Sequence, residues 1–310
     1  MREGVLNVAV VGAGYWGKNL VRNFATAKRC NLKYVCDLNE KLLAVQKKSF
    51  PFIKTSTKLE DVLGDSEVSA VVIATDVPTH FAVAQKSLQA GKHTYVEKPL
   101  TLKAGDAKVL IELAKAKGLK LMTGHLLEYH PAVTYVKEMV DRGMVGQPYY
   151  MYTQRVNLGI VRQDENAWWS LAPHDISVIC YLLGSEPVSV AAQGQCFLQK
   201  DIEDVCFVNL KFSNNVIANI HCSWYEPVKK RCVTVVGDKK MLTLDDIAQT
   251  LIIHDNEGEH KVDVKYLQPL TEQVDDFINC IINDEEPLSD GYVGRDVVRI
   301  LEYCQTALKQ

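Results

Sequence analysis

The sequence lacks long hydrophobic runs and a strong charge imbalance. No apolar stretch reaches the ~18–20 residues that a membrane span needs, and the first predicted strand begins within five residues of Met1. We therefore expect neither a transmembrane helix nor a targeting segment. The formal net charge of −3 gives no electrostatic reason to expect a nucleic acid or an anionic membrane as a partner.

Metal-binding and disulfide patterns are also missing from the sequence. The nine cysteines form no C-x-x-C pair, and several lie in apolar runs typical of strands or helices. No H-x-x-x-H motif or carboxylate cluster indicates a metal. We expect reduced cysteines in a cytoplasmic protein, with no disulfides and no metal site.

The length and composition indicate a globular protein of two domains. The chain has 310 residues, of which 47% are hydrophobic and 24% are charged. Single hydrophobic cores stop growing at about 250–300 residues. A change in the hydrophobic pattern after residue 123 predicts one domain over 1–123 and a second over 124–310.

The first domain alternates short apolar runs with helical patterns, which is typical of a parallel sheet. The predicted strands are 5–11, 31–37, 69–74, 92–96 and 119–123. The predicted helices are 15–28, 39–50, 78–90 and 102–117. We therefore expect an α/β domain of the Rossmann type.

The second domain has mainly alternating segments, which predict an open, mostly antiparallel sheet with helices on one side. The strand-like segments are 147–158, 187–199, 203–212, 216–224, 228–236, 248–254 and 259–265. The helical patterns are 131–142, 170–183, 271–283 and 291–309. Asn214-Asn215 predicts a hairpin turn between two of the strands.

A glycine-rich loop follows the first predicted strand. Gly12 permits a tight turn, Gly14 lets the backbone approach a pyrophosphate, and Gly17 lets the next helix pack closely on the strand. The helix N-terminus offers N–H groups to phosphates. The loop and the acidic residue that closes the next strand predict a dinucleotide site, with contacts from Gly12, Gly14, Tyr15, Trp16, Gly17 and Asp37.

Asp37 favours NAD over NADP. Its carboxylate can accept hydrogen bonds from ribose hydroxyls, and its charge would repel a 2′-phosphate. The adjoining Leu38-Asn39 supplies no arginine to neutralise such a phosphate.

Three polar segments should meet at the carboxyl ends of the parallel strands, where open α/β sheets bind ligands. They are Ala74–His80, which includes Thr75, then Glu97-Lys98-Pro99, and then Gly124-His125. We expect cofactor contacts from Thr75, His80, Glu97 and Lys98, although His80 could instead cap its helix.

With the glycine loop, the E-K-P triplet and a histidine ten residues before Gly184, the sequence resembles the glucose–fructose oxidoreductase/inositol dehydrogenase/MocA family. The resemblance implies a Rossmann domain, an open-sheet domain, and hydride transfer between a nicotinamide and a sugar or polyol carbon. It implies Lys98 and His174 as the catalytic residues. Many members carry an aspartate where this chain has Ser170, so we expect a Lys98/His174 pair without that acid.

Within this family, the segments 125–131, 155–159 and 162–177 are similar to sugar-nucleotide 3-dehydrogenases. That similarity implies a UDP-sugar substrate, and a PLP-dependent aminotransferase that acts on the 3-keto product. A diphosphate needs cationic and amide donors. The candidate substrate contacts are Lys98, Arg155, Asn157, Arg162, Trp168 and His174, although Arg162 could instead pair with a neighbouring acid and Trp168 could be core.

Oxidation of a secondary alcohol requires a base for the hydroxyl proton, and a base works best when its pKa lies near the operating pH. We favour His174 as the base and Lys98 as a hydrogen-bond donor to the same oxygen, and the sequence also permits the reverse. The resemblance implies UDP-N-acetylglucosamine as the substrate, and the alternatives are its uronic acid form and a free polyol or inositol. A redox sensor that binds NAD without turnover is the non-enzyme alternative.

The alternation in Val205–Leu210 places apolar side chains on both faces of its strand. One face would cover helices, and the other would be exposed in a monomer. A whole sheet face of exposed apolar side chains marks an interface. We therefore expect a homodimer or homotetramer formed through this sheet.

Overall fold

The computed structural model describes residues 4–159, 161–265 and 267–308. The chain forms two compact units. The first runs up to Leu126 and also includes Gln268–Val298, and the second comprises Leu127–Leu267 and the chain from Arg299 onward. The predicted boundary at 123/124 lies close to the first crossing between the units. The return of 268–298 to the first unit was not predicted.

The first unit contains a parallel sheet of six strands among the described residues, in the order β3-β2-β1-β4-β5-β6. The strands are β1 (Leu6–Val11), β2 (Cys30–Cys36), β3 (Lys54–Ser56), β4 (Ala70–Ile73), β5 (His93–Val96) and β6 (Leu121–Thr123). The helices that connect them are α1 (Gly17–Thr26), α2 (Glu40–Ser49), α3 (Leu59–Leu63), α4 (Val77–Gln89) and α5 (Ala104–Ala116). Because helices cover both faces of a parallel sheet, the central β4 is buried at every position.

The segment after residue 268 packs on the first unit through aromatic contacts. It contains α8 (Pro269–Asn283), which is followed by α9 (Gly291–Leu308). Phe277 of α8 meets Phe24 edge-on at 6.4 Å between ring centroids and Tyr95 at 5.8 Å. Farther along, the Ser289 hydroxyl donates to the carbonyl of Thr123 at 2.8 Å. These contacts explain why the segment rejoins the Rossmann unit.

The second unit contains one sheet of eight strands among the described residues, in the order β14-β13-β12-β11-β7-β10-β9-β8. The strands are β7 (Pro148–Val156), β8 (Pro187–Gln195), β9 (Val205–Phe212), β10 (Ile217–Ser223), β11 (Lys230–Gly237), β12 (Met241–Asp245), β13 (Thr250–Asp255) and β14 (Gly258–Val262). β7 and β10 pair in parallel, and the other neighbours are antiparallel. The predicted fold class, a Rossmann domain followed by a mostly antiparallel open sheet, is therefore confirmed.

Helices of the second unit pack on one face of its sheet. A short 3₁₀ helix (Leu126–Tyr129) leads into α6 (Pro131–Asp141), and α7 (Ala167–Leu183) contacts β7, β9 and β10. The inward residues of β9 are buried and alternate with exposed ones. The predicted turn between β9 and β10 is present, with Asn215 at φ +64°.

No helix in the described part of the chain combines the length and the apolar character that a bilayer crossing requires. The predicted helix 291–309 corresponds to α9, and its last predicted residue, Lys309, lies outside the described residues.

Candidate active site

The glycine loop has the geometry of a dinucleotide cradle. Gly12 has φ +96°, and a Cβ there would lie 2.5 Å from the carbonyl oxygen of Ala74. A Cβ on Gly17 would lie 2.0 Å from the carbonyl oxygen of Gly12. At Gly14 no described atom beyond the adjoining residues lies within 4 Å of the Cβ position. Two glycines are thus required by close packing, whereas the third leaves the backbone open to a ligand.

The helix that follows this loop is suited to an anion. In the described segment 4–26, α1 has no side-chain cap and no acidic residue in its first turn. Its N-terminal N–H groups and the positive end of its dipole favour a phosphate. The cradle therefore fits the pyrophosphate of a dinucleotide.

Asp37 is held at the edge of this cradle by backbone donors. Its Oδ2 accepts from the N–H of Ala13 at 2.7 Å, and its Oδ1 accepts from the N–H of Asn39 at 2.8 Å. An ionised carboxylate has about four lone-pair sites, so each oxygen can still accept from a ribose hydroxyl. The position agrees with the predicted choice of NAD, and ribose contact stays a prediction.

Glu97 is the centre of a hydrogen-bonded group at the end of β5. Its Oε1 accepts from the indole N–H of Trp16 at 2.8 Å and from the hydroxyl of Tyr95 at 2.9 Å. Its Oε2 accepts from the backbone N–H of Lys98 at 3.2 Å. Burial raises the pKa of Glu97, and these donors oppose that rise. A Cβ on Gly124 would lie 2.8 Å from both Oε2 of Glu97 and the hydroxyl of Tyr95, so the glycine makes room for this group.

His80 ties together two loops at the same edge of the sheet. Its Nδ1 lies 2.9 Å from the carbonyl oxygen of Pro99, and its Nε2 lies 3.0 Å from that of Thr75. The side chain is 1% exposed, and burial lowers its pKa. A neutral imidazole has one N–H and donates to one of these two carbonyl oxygens. The buried ring between the two loops indicates loop support in place of the predicted cofactor contact. The hydroxyl of Thr75 lies 2.7 Å from that of Thr79.

His125 follows β6 and is fully buried. Neither ring nitrogen has a hydrogen-bond partner among the described residues. Burial, with a smaller contribution from the charge of Lys98, lowers its pKa to about 3, so the imidazole is neutral. The sequence placed this residue near the edge of the sheet but gave no sign of its burial.

His174 lies in the first half of α7 in the second unit. The Asn166 side chain caps this helix by accepting from the backbone N–H of Trp169 at 3.0 Å. Pro173 lies inside the helix directly before His174. His174 is partly exposed, whereas the next residue, Asp175, is fully buried. The helix thus presents the imidazole at its more open side.

Asp175 forms a buried ion pair with Arg155 of β7. The Nε of Arg155 donates to Oδ2 at 2.7 Å, and its Nη2 donates to Oδ1 at 3.2 Å. Arg155 is 6% exposed and Asp175 is 0% exposed. The predicted role of Arg155 in binding a substrate diphosphate is therefore corrected, because its fork is directed at the carboxylate beside His174. Physically, it fastens α7 to the sheet.

The other predicted substrate contacts differ in exposure. Trp168 is 0% exposed and donates its indole N–H to the carbonyl of Leu301 at 3.2 Å, so the predicted stacking on substrate is replaced by a core role. Arg162 is half exposed and pairs through Nε with Glu165 at 2.9 Å. Asn157 is partly exposed at the end of β7. Asn157 and Arg162 therefore stay as candidates.

Within the described ranges, no group of three His, Cys, Asp or Glu side chains is placed to hold a metal ion. The nine cysteines are all free thiols.

Family models match both units. The model of the oxidoreductase family with an NAD-binding Rossmann fold covers residues 6–125, and that of the GFO/IDH/MocA C-terminal domain covers residues 133–243. The chain belongs to the GFO/IDH/MocA family. It is accordingly an NAD-dependent oxidoreductase, which favours the predicted enzyme over a sensor without turnover. The family resemblance and the cofactor predicted from the sequence are both confirmed.

Two curated relatives match nearly the whole chain. The UDP-N-acetylglucosamine 3-dehydrogenase of Acidithiobacillus ferrooxidans is 28% identical over 94% of this chain and 94% of its own length. The myo-inositol 2-dehydrogenase of Thermotoga maritima is 24% identical over 94% and 92%. Among solved structures, UDP-N-acetylglucosamine 3-dehydrogenase GnnA from A. ferrooxidans matches with a TM-score of 0.90 over 98% of both chains.

Two residues of the Glu97 group were missed by sequence reasoning. Tyr95 lies two positions before Glu97 in an extended segment, and this spacing places both side chains on one face, so it was a usable signal. Gln273, whose Oε1 lies 3.0 Å from the Tyr95 hydroxyl, comes from α8. Nothing local in the sequence connects it with β5.

Proposed function

We propose that this NAD-dependent oxidoreductase converts the C3 hydroxyl of UDP-N-acetylglucosamine to a ketone. The observation that carries the proposal is the 28% identity with the A. ferrooxidans 3-dehydrogenase over 94% of both chains. The structural match to GnnA over 98% of both chains supports it. The product, a 3-keto sugar nucleotide, would serve a PLP-dependent aminotransferase in the cytoplasm.

The chemistry assigns separate tasks to the two predicted catalytic residues. His174 takes the hydroxyl proton, and Lys98 donates a hydrogen bond to the same oxygen, which becomes the ketone oxygen. When bound, NAD supplies the acceptor for the hydride that leaves C3. The glycine loop, Asp37 and Glu97 would hold the dinucleotide, and Arg162 and Asn157 would bind the diphosphate.

The decisive assay combines the purified chain with UDP-N-acetylglucosamine and NAD and follows NADH absorbance and the 3-keto product by mass spectrometry. A parallel reaction contains 2-oxoglutarate, because a retained reduced cofactor would need an external acceptor. Lys98→Ala and His174→Ala should each reduce turnover by about 10²-fold or more and leave NAD affinity within about threefold. Full turnover in both variants would refute the catalytic assignment.

The same assay distinguishes the substrate alternatives. UDP-N-acetylglucosaminuronate differs from the proposed substrate only at C6, so a higher kcat/KM with it would transfer the assignment to the uronate. The T. maritima relative favours myo-inositol as the second candidate. Titration calorimetry with UDP separates these classes, since a polyol site has no need to bind the nucleotide.

We also propose that the protein assembles as a homodimer or homotetramer through the open face of the second sheet. Phe207 is 47% exposed, Tyr152 is 37% exposed and Ile217 is 49% exposed on the strands β9, β7 and β10. Phe207 stacks on His221 at 4.3 Å between ring centroids. An apolar surface of this kind favours a second copy of the same face.

A further inference from the structure

The glycine loop and the lysine loop of the first unit are joined by a direct side-chain hydrogen bond. The indole N–H of Trp16, in the glycine loop, donates to Glu97 at 2.8 Å across 81 positions of sequence. The other oxygen of Glu97 accepts from the backbone N–H of Lys98. One carboxylate therefore receives a donor from the cofactor loop and a donor from the residue that the proposed function makes catalytic.

Two buried side chains, Tyr95 and Gln273, form a second chain of hydrogen bonds to this carboxylate. The Tyr95 hydroxyl lies 2.9 Å from Oε1 of Glu97 and 3.0 Å from Oε1 of Gln273. A phenol has one hydrogen and cannot donate to both. The Nε2 of Gln273 lacks a partner among the described residues, although the residue is only 1% exposed.

The donor conflict at the Tyr95 hydroxyl disappears when the Gln273 amide is turned by 180°. Its Nε2 then donates to the hydroxyl of Tyr95, and that hydroxyl donates to Glu97. The result is a directional chain from α8 through β5 to Glu97, with the Trp16 indole as the opposing donor. Each link then joins one donor to one acceptor, which favours one orientation of the carboxylate.

We propose that Trp16 is a positioning residue for Lys98, because its indole N–H fixes the Glu97 carboxylate to which the Lys98 backbone donates. The proposal rests on the proposed function for the role of Lys98. An ordered glycine loop and an oriented lysine then support each other, which is reciprocal coupling between the two loops. A phenylalanine at position 16 would keep the ring but lose the bond.

The first test needs neither cofactor nor substrate. In a ¹H–¹⁵N spectrum of the apoprotein, Trp16→Phe should shift the backbone amide signal of Lys98, and Glu97→Gln should shift the indole signal of Trp16. Tyr34→Phe is the matched control, because it removes a phenol–carboxylate hydrogen bond, to Asp65 at 3.1 Å, in the same unit. It should leave both signals in place. Unchanged signals in the first two variants would overturn the proposal.

The second test uses kinetics to separate positioning from simple cofactor binding. Trp16→Phe should lower kcat about tenfold, as expected for loss of a hydrogen bond to a charged group, and this factor should exceed the factor by which the Kd for NADH rises. If Trp16 acts through Glu97, the double variant with Glu97→Gln should have no lower kcat than Glu97→Gln alone. Additive losses, or a loss of NADH affinity that matches the loss of kcat, would contradict the role.

Failure of the proposed function gives a different result. In that case the wild type does not oxidise UDP-N-acetylglucosamine, or Lys98→Ala oxidises it as fast as the wild type. The Lys98 amide shift and the Trp16 indole shift of the apoprotein still report whether Trp16 positions the Lys98 backbone.

Discussion

Replacement of Asp175 by asparagine tests the buried ion pair between Arg155 and Asp175, the residue that directly follows the proposed catalytic His174. Arg155 and Asp175 are almost fully buried and make two hydrogen bonds at 2.7 and 3.2 Å. Asparagine has nearly the same shape but no charge, so the guanidinium would stay buried without a counter-ion. Breaking such a pair costs about 3–5 kcal/mol, and we expect the lower end because the amide oxygen can still accept one bond.

This free energy converts to measurable shifts in apoprotein stability. A loss of about 3 kcal/mol lowers the melting temperature by roughly 6–12 °C for a unit of 150–250 residues. With a urea m-value of about 2 kcal/mol/M, the midpoint falls by about 1.5 M. Thermal scanning and urea unfolding followed by tryptophan fluorescence would measure both.

A surface pair in the same unit provides the control. Glu165 contacts Arg162 at 2.9 Å, and the arginine side chain is half exposed. Glu165→Gln should cost less than about 1 kcal/mol, because exposed pairs contribute little. Equal, small losses in the Asp175 and Glu165 variants would refute the reasoning, and so would a double variant Arg155→Met/Asp175→Asn that shows additive losses.

Three further predictions follow from single contacts. Asp37→Ser should raise the affinity for NADP relative to NAD, measured by calorimetry, and an unchanged ratio would contradict the role of its charge. Phe207→Glu should reduce the assembly to a particle near 34.7 kDa in light scattering, whereas a wild-type protein already of that mass would disprove the interface. The pKa of Asp65 is lowered from 3.8 to about 2, chiefly by its hydrogen bond from Lys33, so the stability it contributes is present above pH 3.8 and is lost as the pH falls toward 2. Asp65→Asn should weaken the pH dependence of the urea midpoint in that window, and an unchanged slope would show that Asp65 does not cause it.

The Rossmann half of the fold could be predicted because local signals agree there. β1 is a short apolar run that ends in glycines, and Gly12 and Gly17 occupy positions where a Cβ would collide with backbone. Propensity, spacing and turn chemistry all indicate the same structure. The return of α8 to this unit depends instead on a ring contact between Phe24 and Phe277, 253 positions apart in sequence (277 − 24). No periodicity in the sequence encodes such a pairing.

The candidate site was likewise predictable only in part. Asp37 and Lys98 could be placed in the site because they follow parallel strands, and ligands bind at the carboxyl ends of such strands. Arg155 was predicted as a phosphate ligand because arginine prefers phosphate, but strand alternation carried a contrary signal. Met151, Thr153 and Arg155 share one face of β7, and all three are buried. That face is covered by helices, so a charged residue on it requires a buried partner.

The two predicted catalytic side chains are each anchored by a neighbour in sequence. Glu97 directly precedes Lys98 and is fixed by Trp16 and Tyr95. Asp175 directly follows His174 and is fixed by Arg155. In each case an acid adjacent in sequence is held by hydrogen bonds, and at the second position His174 is partly exposed beside the buried Asp175.

The pair bears on the departure from the family pattern that the sequence resemblance indicated. Position 170 carries serine, so no carboxylate from that position can orient the imidazole. The buried Asp175 instead holds α7 on the sheet through its pair with Arg155. A carboxylate in contact with the imidazole would change the pKa of the imidazole directly. A carboxylate that fixes the helix instead changes where the imidazole lies. Asp175→Asn should therefore lower kcat and stability together and leave the pH at half-maximal kcat within about 0.3 units of the wild-type value, since a shift of one unit would correspond to about 1.4 kcal/mol of direct interaction.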